Sequence, residues 1–329
     1  MTELQAPLLS EIQAARERIA PYIRRTPLIE LDLGLSDRRI FVKLETLQPI
    51  GAFKLRPALS AILERDKAEL RHGVAVASSG NMAYGTAWVA QQLGIPMAAY
   101  MMSDAPAAKI DGVRKLGGAV RFIDGQTWWN YITDAEQPDG PELLINPVTD
   151  AGVLAGNGSI GLEIVEDLPD LDWVLTPIGG GSLTTGVASA VKALRPQARV
   201  LAVESEAAAP ATAALAAGRV VQVAVQQSFI KSIGGPSVVP ALWPVVRSLI
   251  DGTAVVSLQQ VVQAMGHLFQ QAKVVAEGAG AAALAAAIHD PRLQGKVVCV
   301  ISGGNIDAAA FIQALQGRIP DAGPALQAA

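Results

Sequence analysis

Short, valine-rich apolar runs alternate along the chain with alanine-rich stretches whose apolar positions recur at the period of a helix. This alternation predicts parallel strands that are joined by helices and covered by them on both faces. The predicted strands are RIFVKLE, GVAVA, PMAAYMM, AVRFID, DWVLTPI, RVLAVES and KVVCVIS, and the predicted helices are NMAYGTAWVAQQLG, PAAKIDGVRKLG, TTGVASAVKALRP and NIDAAAFIQALQ. The fold class is therefore α/β, with open, twisted, mostly parallel sheets.

A break near ELLINPVTDAG separates two sets of strands and helices. Because each set is long enough to build its own core, we expect two domains. The predicted small domain covers 49–147. It is inserted into a large domain made of 1–48 and 148–329.

Composition and charge argue against several classes of function. Half of the 329 residues are hydrophobic, yet no uninterrupted apolar run has the length of a membrane span, and the first 25 residues lack the pattern of a signal peptide. The net charge of −4 is small and the basic residues are scattered, which argues against nucleic acid as a partner. His72, His267 and His289 are far apart and Cys299 is the only cysteine, so no metal is expected. We expect a cytoplasmic enzyme that acts on a small molecule.

Three loops rich in glycine or serine each follow a predicted strand and precede a predicted helix: SSGN (78–81), GGGSL (179–183) and SGGN (302–305). In parallel sheets, ligands bind beyond the carboxyl ends of strands, where such loops gather. Glycines let backbone N–H groups approach an anion, so GGGSL is a candidate phosphate-binding loop.

Each loop also has an ordinary structural interpretation. GGGSL would be a tight turn, since it lacks the spacing of a nucleoside-triphosphate loop. Ser79, Asn81 and Asn305 would cap the helices that follow them. One helix cap needs no functional explanation, but three such loops at one edge of a sheet favour a binding site.

Lys54 lies in IGAFKLRPA, among apolar and small neighbours at the start of a predicted helix. A lysine held out of water loses its proton more easily and can bond covalently to an aldehyde. Pyridoxal phosphate carries both an aldehyde and a phosphate, so it would satisfy the lysine and the glycine-rich loop together. Phe53 would then pack against the pyridine ring.

Five segments carry a resemblance to a known family: KLETLQPIGAFKLRPA, ASSGNMAYG, PIGGGSL, VAEGAGAAALAA and ISGGN. In this order they resemble the motifs of the fold-type II pyridoxal-phosphate enzymes, and most of all those of the serine/threonine dehydratase and serine racemase branch. The resemblance runs from about Leu8 to the helix after Asn305. It implies a tryptophan synthase β-like fold with two sheets, a homodimer, pyridoxal 5′-phosphate as cofactor and an amino acid as substrate.

The resemblance also implies roles for individual residues. Lys54 would hold the cofactor covalently and carry the substrate Cα proton, and Ser79 would lie on the opposite face of the ring. The residues implied in cofactor binding are Phe53, Lys54, Asn81, Gly179, Gly180, Gly181, Ser182, Leu183 and Ser302. Those implied in gripping the substrate carboxylate are Ser78, Ser79, Asn81 and the backbone N–H of Met82.

The reaction implied is α,β-elimination from a β-hydroxy amino acid, similar to threonine or serine, which releases a 2-oxo acid and ammonia. The alternatives are an amino acid racemase or β-replacement enzyme of the same fold, and a homologue that binds the cofactor without catalysis. Glu277 is expected close to the cofactor without touching it, and Trp128 and Trp129 are expected to be packing residues.

Several positions depart from the family pattern. Met82 stands where histidine is usual, Tyr84 where a small or polar residue is, and Pro57 where glycine is. Ser228-Phe229 replaces an Asp-Gly pair beside the cofactor. These departures favour a specialised β-hydroxy amino acid as the substrate.

The divalent-cation site of some relatives is incomplete in this chain. Glu204 and the Ala208 carbonyl match two of its ligands, but Pro210 replaces an aspartate. Because such sites need several oxygen ligands, no metal is expected there.

Overall fold

The expected strands and helices form two sheets in the computed structural model, which describes residues 4–103, 105, 107–133 and 136–322. One sheet has six strands in the order β1-β2-β10-β7-β8-β9, and the other has four in the order β5-β4-β3-β6. Every neighbouring pair is parallel except β1 and β2. The strands are β1 (Leu28–Leu31), β2 (Arg38–Leu44), β3 (Val74–Ala77), β4 (Met97–Met102), β5 (Ala119–Ile123), β6 (Leu143–Leu144), β7 (Trp173–Pro177), β8 (Arg199–Ser205), β9 (Gly252–Val256) and β10 (Gly295–Ile301).

The helices cover these sheets. They are α1 (Leu9–Ile19), α2 (Leu55–Leu63), α3 (Asn81–Leu93), α4 (Ala107–Lys115), α5 (Gly125–Ile132), α6 (Ala151–Asp167), α7 (Ser182–Leu194), α8 (Pro210–Ala217), α9 (Trp243–Leu249), α10 (Leu258–His267), α11 (Gly278–His289) and α12 (Ala308–Leu315). Short 3₁₀ turns lie at Glu45–Leu47 and Glu69–His72, and a π-helical turn follows α10 at Leu268–Ala272.

Alternate residues of the central strand β10 pack into different cores. Val297 and Cys299 belong to a core that includes residues of α10 and α11, whereas Val298 and Val300 belong to one that includes residues of α6 and α7. Since successive side chains of a strand point to opposite faces, both faces of the six-stranded sheet are buried. The predicted fold class is confirmed.

The four-stranded sheet is covered in the same way. Val74 and Val76 of β3 pack with residues of α2, α3 and α4, while Ala75 and Ala77 pack with Ile132 of α5 and with residues of α9. The strands of this sheet all fall between residues 74 and 144. The domain bounds at 48/49 and 147/148 stay a prediction.

The positions at which two helices start contradict the interpretation of Ser79, Asn81 and Asn305 as helix caps. The N-cap of α3 is Gly80, so Asn81 is the first helical residue and neither it nor Ser79 is the cap. The helix after SGGN begins only at Ala308, with Asp307 as its N-cap. Helix capping is therefore the wrong explanation for Ser79, Asn81 and Asn305, and their side chains must be explained by other contacts.

Within the described ranges, no helix combines the length and the apolar character that crossing a membrane requires.

Candidate active site

The segment that carries Lys54 is attached to the loop after β10. Ala52 forms an antiparallel bridge with Gly303, and the Phe53 N–H donates to the Ser302 carbonyl at 2.9 Å. Lys54 is the N-cap of α2, and its Nζ lies 4.9 Å from the centre of the Phe53 ring. Backbone hydrogen bonds thus fix the segment that carries Lys54 beside the carboxyl end of the central strand.

The Lys54 amine is poorly hydrated. The residue as a whole is half-buried, and desolvation by the protein around the amine lowers its pKa to about 8. Burial disfavours the charged form of a lysine because the ammonium loses water. About a tenth of this amine is therefore neutral and nucleophilic at pH 7, against less than about a thousandth for an ordinary lysine.

A row of hydrogen-bonded polar side chains lies beside the Lys54 segment. Asn305 Nδ2 donates to Asn81 Oδ1 at 2.9 Å, and Asn81 Nδ2 donates to Glu277 Oε1 at 2.8 Å. Asn305 Nδ2 also donates to the Ile50 carbonyl at 2.9 Å. Burial raises the pKa of Glu277, against the charge of Lys109 and the hydrogen bond from Asn81. The row joins α3, α11 and the loop after β10, and it fixes the direction in which the Asn81 amide points.

The SSGN loop presents hydroxyl groups at the carboxyl end of β3. Ser78 Oγ accepts from Gly80 N–H at 3.2 Å, and Ser79 Oγ accepts from Met102 N–H at 3.1 Å. No side chain caps the first N–H groups of α3. The side chain of Met82 is 2% exposed in the core of the four-stranded sheet, so its contribution to a site is limited to its backbone.

Lys109 of α4 brings a positive charge to the same loop. Its Nζ lies 3.9 Å from the position that a Cβ on Gly80 would take. The sequence offered no signal for this residue, because α4 is placed over the loop only by tertiary packing.

The GGGSL loop is enclosed so tightly that it requires glycine. A Cβ on Gly179 would lie 2.9 Å from the Ser232 carbonyl oxygen, and one on Gly180 would lie 2.6 Å from Val148 Cγ2. Gly181 has φ +100° and is the N-cap of α7, so the N–H groups of the first turn of this helix face the loop. Such a cradle of small residues at a helix N-terminus suits a phosphate.

The end of this loop shares a buried core with the Lys54 segment. Leu183 and Phe53 belong to the same buried core, while Ser182 Oγ donates to the Pro147 carbonyl at 3.1 Å. Ser302 is 4% exposed and follows β10 directly. The structure thus brings the segment around Lys54 together with Asn81, Ser302 and the glycine-rich loop. The cofactor pyridoxal phosphate fits these residues, since a desolvated amine and an anion cradle occur together.

A buried ionic network anchors the helix that follows Lys54. Arg56 is fully buried, and both its Nε and its Nη2 donate to the Glu45 carboxylate, at 2.8 and 2.9 Å. Its Nη1 and Nη2 donate to Glu163 at 2.7 and 2.9 Å. Lys43 Nζ lies 2.6 Å from Glu163 Oε2. Two positive and two negative side chains thus neutralise one another. The sequence signal for this network was the presence of charged residues inside otherwise apolar stretches.

The Glu204 carboxylate is occupied by protein donors. It accepts hydrogen bonds from Ala211 N–H at 2.7 Å, from Thr212 N–H at 2.8 Å and from Thr212 Oγ1 at 2.7 Å. Pro210 is the first residue of α8, so Glu204 binds the free N–H groups at the start of that helix. Across the part of the chain that the structure describes, no three His, Cys, Asp or Glu residues are grouped as metal ligands.

A lysine of lowered pKa, a phosphate-type cradle and two mostly parallel sheets define an enzyme that binds an anionic aldehyde cofactor. Comparison with known proteins agrees with this class. Residues 19–303 match the family "Pyridoxal-phosphate dependent enzyme", and the chain belongs to that family. The predicted fold type, branch and cofactor are confirmed.

Individual relatives support the same branch. The chain is 37% identical to an L-threonine ammonia-lyase of Geobacter sulfurreducens over 90% of its own length and 75% of the relative's. It is 33% identical to a serine racemase of Oryza sativa subsp. indica, with 94% of each chain covered. The crystal structure of a threonine deaminase from T.th. superposes with a TM-score of 0.81 at 36% identity, covering 92% of this chain and 99% of that one.

Proposed function

We propose that this protein is a pyridoxal-phosphate-dependent ammonia-lyase that removes the β-hydroxyl group of a serine- or threonine-like amino acid and releases a 2-oxo acid and ammonia. The observation that carries this proposal is the Lys54 amine, which has a pKa lowered to about 8 and lies over Phe53 beside the loop after β10. The relatives named threonine ammonia-lyase support the reaction type.

The cofactor, when bound, supplies the aldehyde that joins it to an amine and a ring that withdraws electrons from the substrate Cα. Lys54 Nζ would bond to it and, once displaced by the substrate amine, take the proton from Cα. The lowered pKa supports both roles, because only the neutral amine attacks a carbonyl or accepts a proton.

The remaining cofactor residues would bind and orient. The backbone N–H groups of Gly179 to Leu183 would bind the phosphate, and Asn81 would donate to the ring oxygen, since one of its two amide protons is not engaged with Glu277. The Ser302 hydroxyl would face the ring nitrogen. Phe53 would lie along the ring, as its contact with the Lys54 amine suggests.

The SSGN loop is the proposed site of the substrate carboxylate. Ser78, Ser79, Asn81 and the Met82 N–H lie in or next to this loop, and the uncapped start of α3 adds the positive end of a helix dipole. The nearby amine of Lys109 increases this attraction. A negatively charged carboxylate suits these groups.

Racemisation is a second candidate activity, favoured by the position of Ser79. Its oxygen accepts from Met102 N–H, which leaves its own proton for donation toward the site. Incubating the enzyme with L-serine and separating the enantiomers would test this activity. Appearance of D-serine that is lost in Ser79→Ala supports it, and its absence alongside ammonia release contradicts it.

The first test of the proposed function is the colour of the protein. Wild type loaded with pyridoxal phosphate should show a visible absorption band that borohydride removes, whereas Lys54→Arg should show none, because arginine cannot condense with the aldehyde. Lys115→Ala, which changes an exposed lysine, is the control and should stay coloured. A wild type that stays colourless would contradict the assignment of Lys54 as the residue that bonds to the cofactor.

The reaction is tested by a substrate screen. Incubation with L- and D-β-hydroxy amino acids, followed by assays for 2-oxo acids and ammonia, should identify at least one substrate that the wild type turns over and Lys54→Arg does not. If the protein takes up the cofactor and releases no product from any of them, the non-catalytic alternative replaces this proposal.

We also propose a cytoplasmic homodimer in which 49–147 closes over the substrate. The position of the site supports the closure, because Lys54 is attached to the loop after β10 of one sheet while Ser78 and Ser79 follow β3 of the other. Light scattering would test the dimer, and small-angle scattering with and without substrate would test the closure.

A further inference from the structure

The loop 228–235 runs along one side of the candidate site and touches it at two places. At one end, the Ser232 carbonyl oxygen lies 2.9 Å from the position of a Cβ on Gly179, in the phosphate cradle. At the other end, the Phe229 ring lies against Gly278, where a Cβ would come within 2.7 Å of Phe229 Cε2. The absence of a side chain at Gly278 is what admits this ring.

The second contact places Phe229 next to the polar row. Gly278 directly follows Glu277, whose carboxylate accepts from Asn81. One end of the loop therefore lies at the cradle proposed for the phosphate, and the other lies beside the amide proposed to bind the ring oxygen. A pyridoxal phosphate bound by both groups would extend along this loop.

Phe53 borders the same space from another segment. A Cβ on Gly303 would be 2.8 Å from Glu277 Oε1 and 3.2 Å from Ala52 Cβ, so Gly303 lies between Glu277 and the segment that carries Phe53. Phe53 follows Ala52, and Phe229 packs on the residue after Glu277. Phe53 is buried whereas Phe229 is half-buried, so the protein leaves part of Phe229 uncovered.

We infer that Phe229 is a positioning residue that packs against the cofactor ring, which is then held between two phenyl rings. This inference rests on the proposed function, because it requires pyridoxal phosphate in the site. Contacts between aromatic rings contribute beyond the area that they bury, and the gain corresponds to about 3- to 10-fold in affinity. A second aromatic wall would also restrict the plane of the cofactor ring.

The test compares Phe229→Leu with wild type and with Phe269→Leu. Leucine keeps an apolar side chain at the position and removes the aromatic ring. Phe269 is 43% exposed and packs edge-on against Phe311 of α12. The variant Phe269→Leu therefore controls for the general effect of replacing a phenylalanine by leucine. The apo-proteins would be titrated with pyridoxal phosphate by absorbance, and the visible circular dichroism of the bound cofactor would be recorded.

We expect Phe229→Leu to raise the Kd for pyridoxal phosphate about 3- to 10-fold and to reduce the visible dichroism, with Phe269→Leu unchanged in both. Melting of the apo-proteins identifies a purely structural effect: a lower Tm with an unchanged Kd and unchanged dichroism would overturn the inference. Unchanged Kd and dichroism at an unchanged Tm would overturn it as well. If the wild type binds no pyridoxal phosphate, the result contradicts the proposed function itself.

Discussion

Two titratable residues of the site are shifted in opposite directions, and both shifts favour the neutral form. Desolvation lowers the pKa of Lys54 to about 8, and it raises the pKa of Glu277. Lys54 therefore loses its proton at a lower pH than an ordinary lysine, and Glu277 keeps its proton to a higher pH than an ordinary glutamate. At the glycine-rich loop, the negative charge of a phosphate would be met by backbone N–H groups and a helix dipole, which need no change of protonation.

The shifted lysine predicts how cofactor uptake depends on pH. The neutral fraction of Lys54 grows as the pH rises through about 8, whereas an ordinary lysine would need a pH near 10.4. The rate at which the apo-protein develops its visible band with pyridoxal phosphate should therefore rise with a midpoint near pH 8 and level off above it. Stopped-flow absorbance measures this rate.

Free lysine mixed with the cofactor at the same pH values is the control, because its amines have an ordinary pKa. A protein profile that parallels the control would mean that Lys54 is not desolvated in solution.

Helices α2 and α6 approach each other closely just behind the lysine. A Cβ on Gly156 of α6 would lie 2.8 Å from the Arg56 carbonyl oxygen and 2.9 Å from Pro57 Cα. Pro57 stands in the first turn of α2, where a missing N–H costs no hydrogen bond. Its departure from the family pattern therefore has a local explanation, because a proline is accommodated in this turn.

The ionic network between these helices should matter for stability. Glu163→Gln would leave Arg56 with Glu45 alone. Lys43 would keep only the partly exposed Asp167, 3.8 Å away, and uncompensated buried charges are costly. We expect the free energy of unfolding to fall by about 3 to 5 kcal/mol, measured by urea denaturation. Arg39→Ala is the comparison, since its ion pair with Glu30 is exposed, and it should change stability little. Equal effects of the two variants would contradict the role of the network.

The contacts of Glu204 predict the effect of metal removal. Its carboxylate is saturated by three donors at the start of α8, so a divalent cation would have to displace hydrogen bonds that the fold already makes. Treatment with EDTA, and later addition of Mg²⁺ or Ca²⁺, should leave both Tm and the elimination rate unchanged. A rise in Tm on adding either ion, lost in Glu204→Gln, would show that a cation binds there.

Across the whole molecule, the sequence predicted what local periodicity encodes. The strands β2, β3, β4, β5, β7, β8 and β10 and the helices α3, α4, α7 and α12 were evident from their apolar patterns. The strands β1, β6 and β9 were not predicted, because they are short or only partly buried. The loops of the site were recognised by their glycines and serines.

The contacts between those loops were not predictable from local pattern. The hydrogen bond from Asn81 to Glu277 joins positions 196 residues apart, and neither sequence neighbourhood specifies the other. The same holds for the Arg56 network and for Phe229 against Gly278. These contacts arise from tertiary packing, which a single sequence does not display.

The bridge between Ala52 and Gly303 has a consequence for how the protein is made. The lysine segment is synthesised long before the residues that fix it, since the Asn305–Ile50 bond spans 255 positions. Contacts of such long range form slowly because a long loop must close first. A growing chain on the ribosome would therefore carry an unformed site until Gly303 and Asn305 had been translated, so cofactor capture would report that these two distant segments have come together.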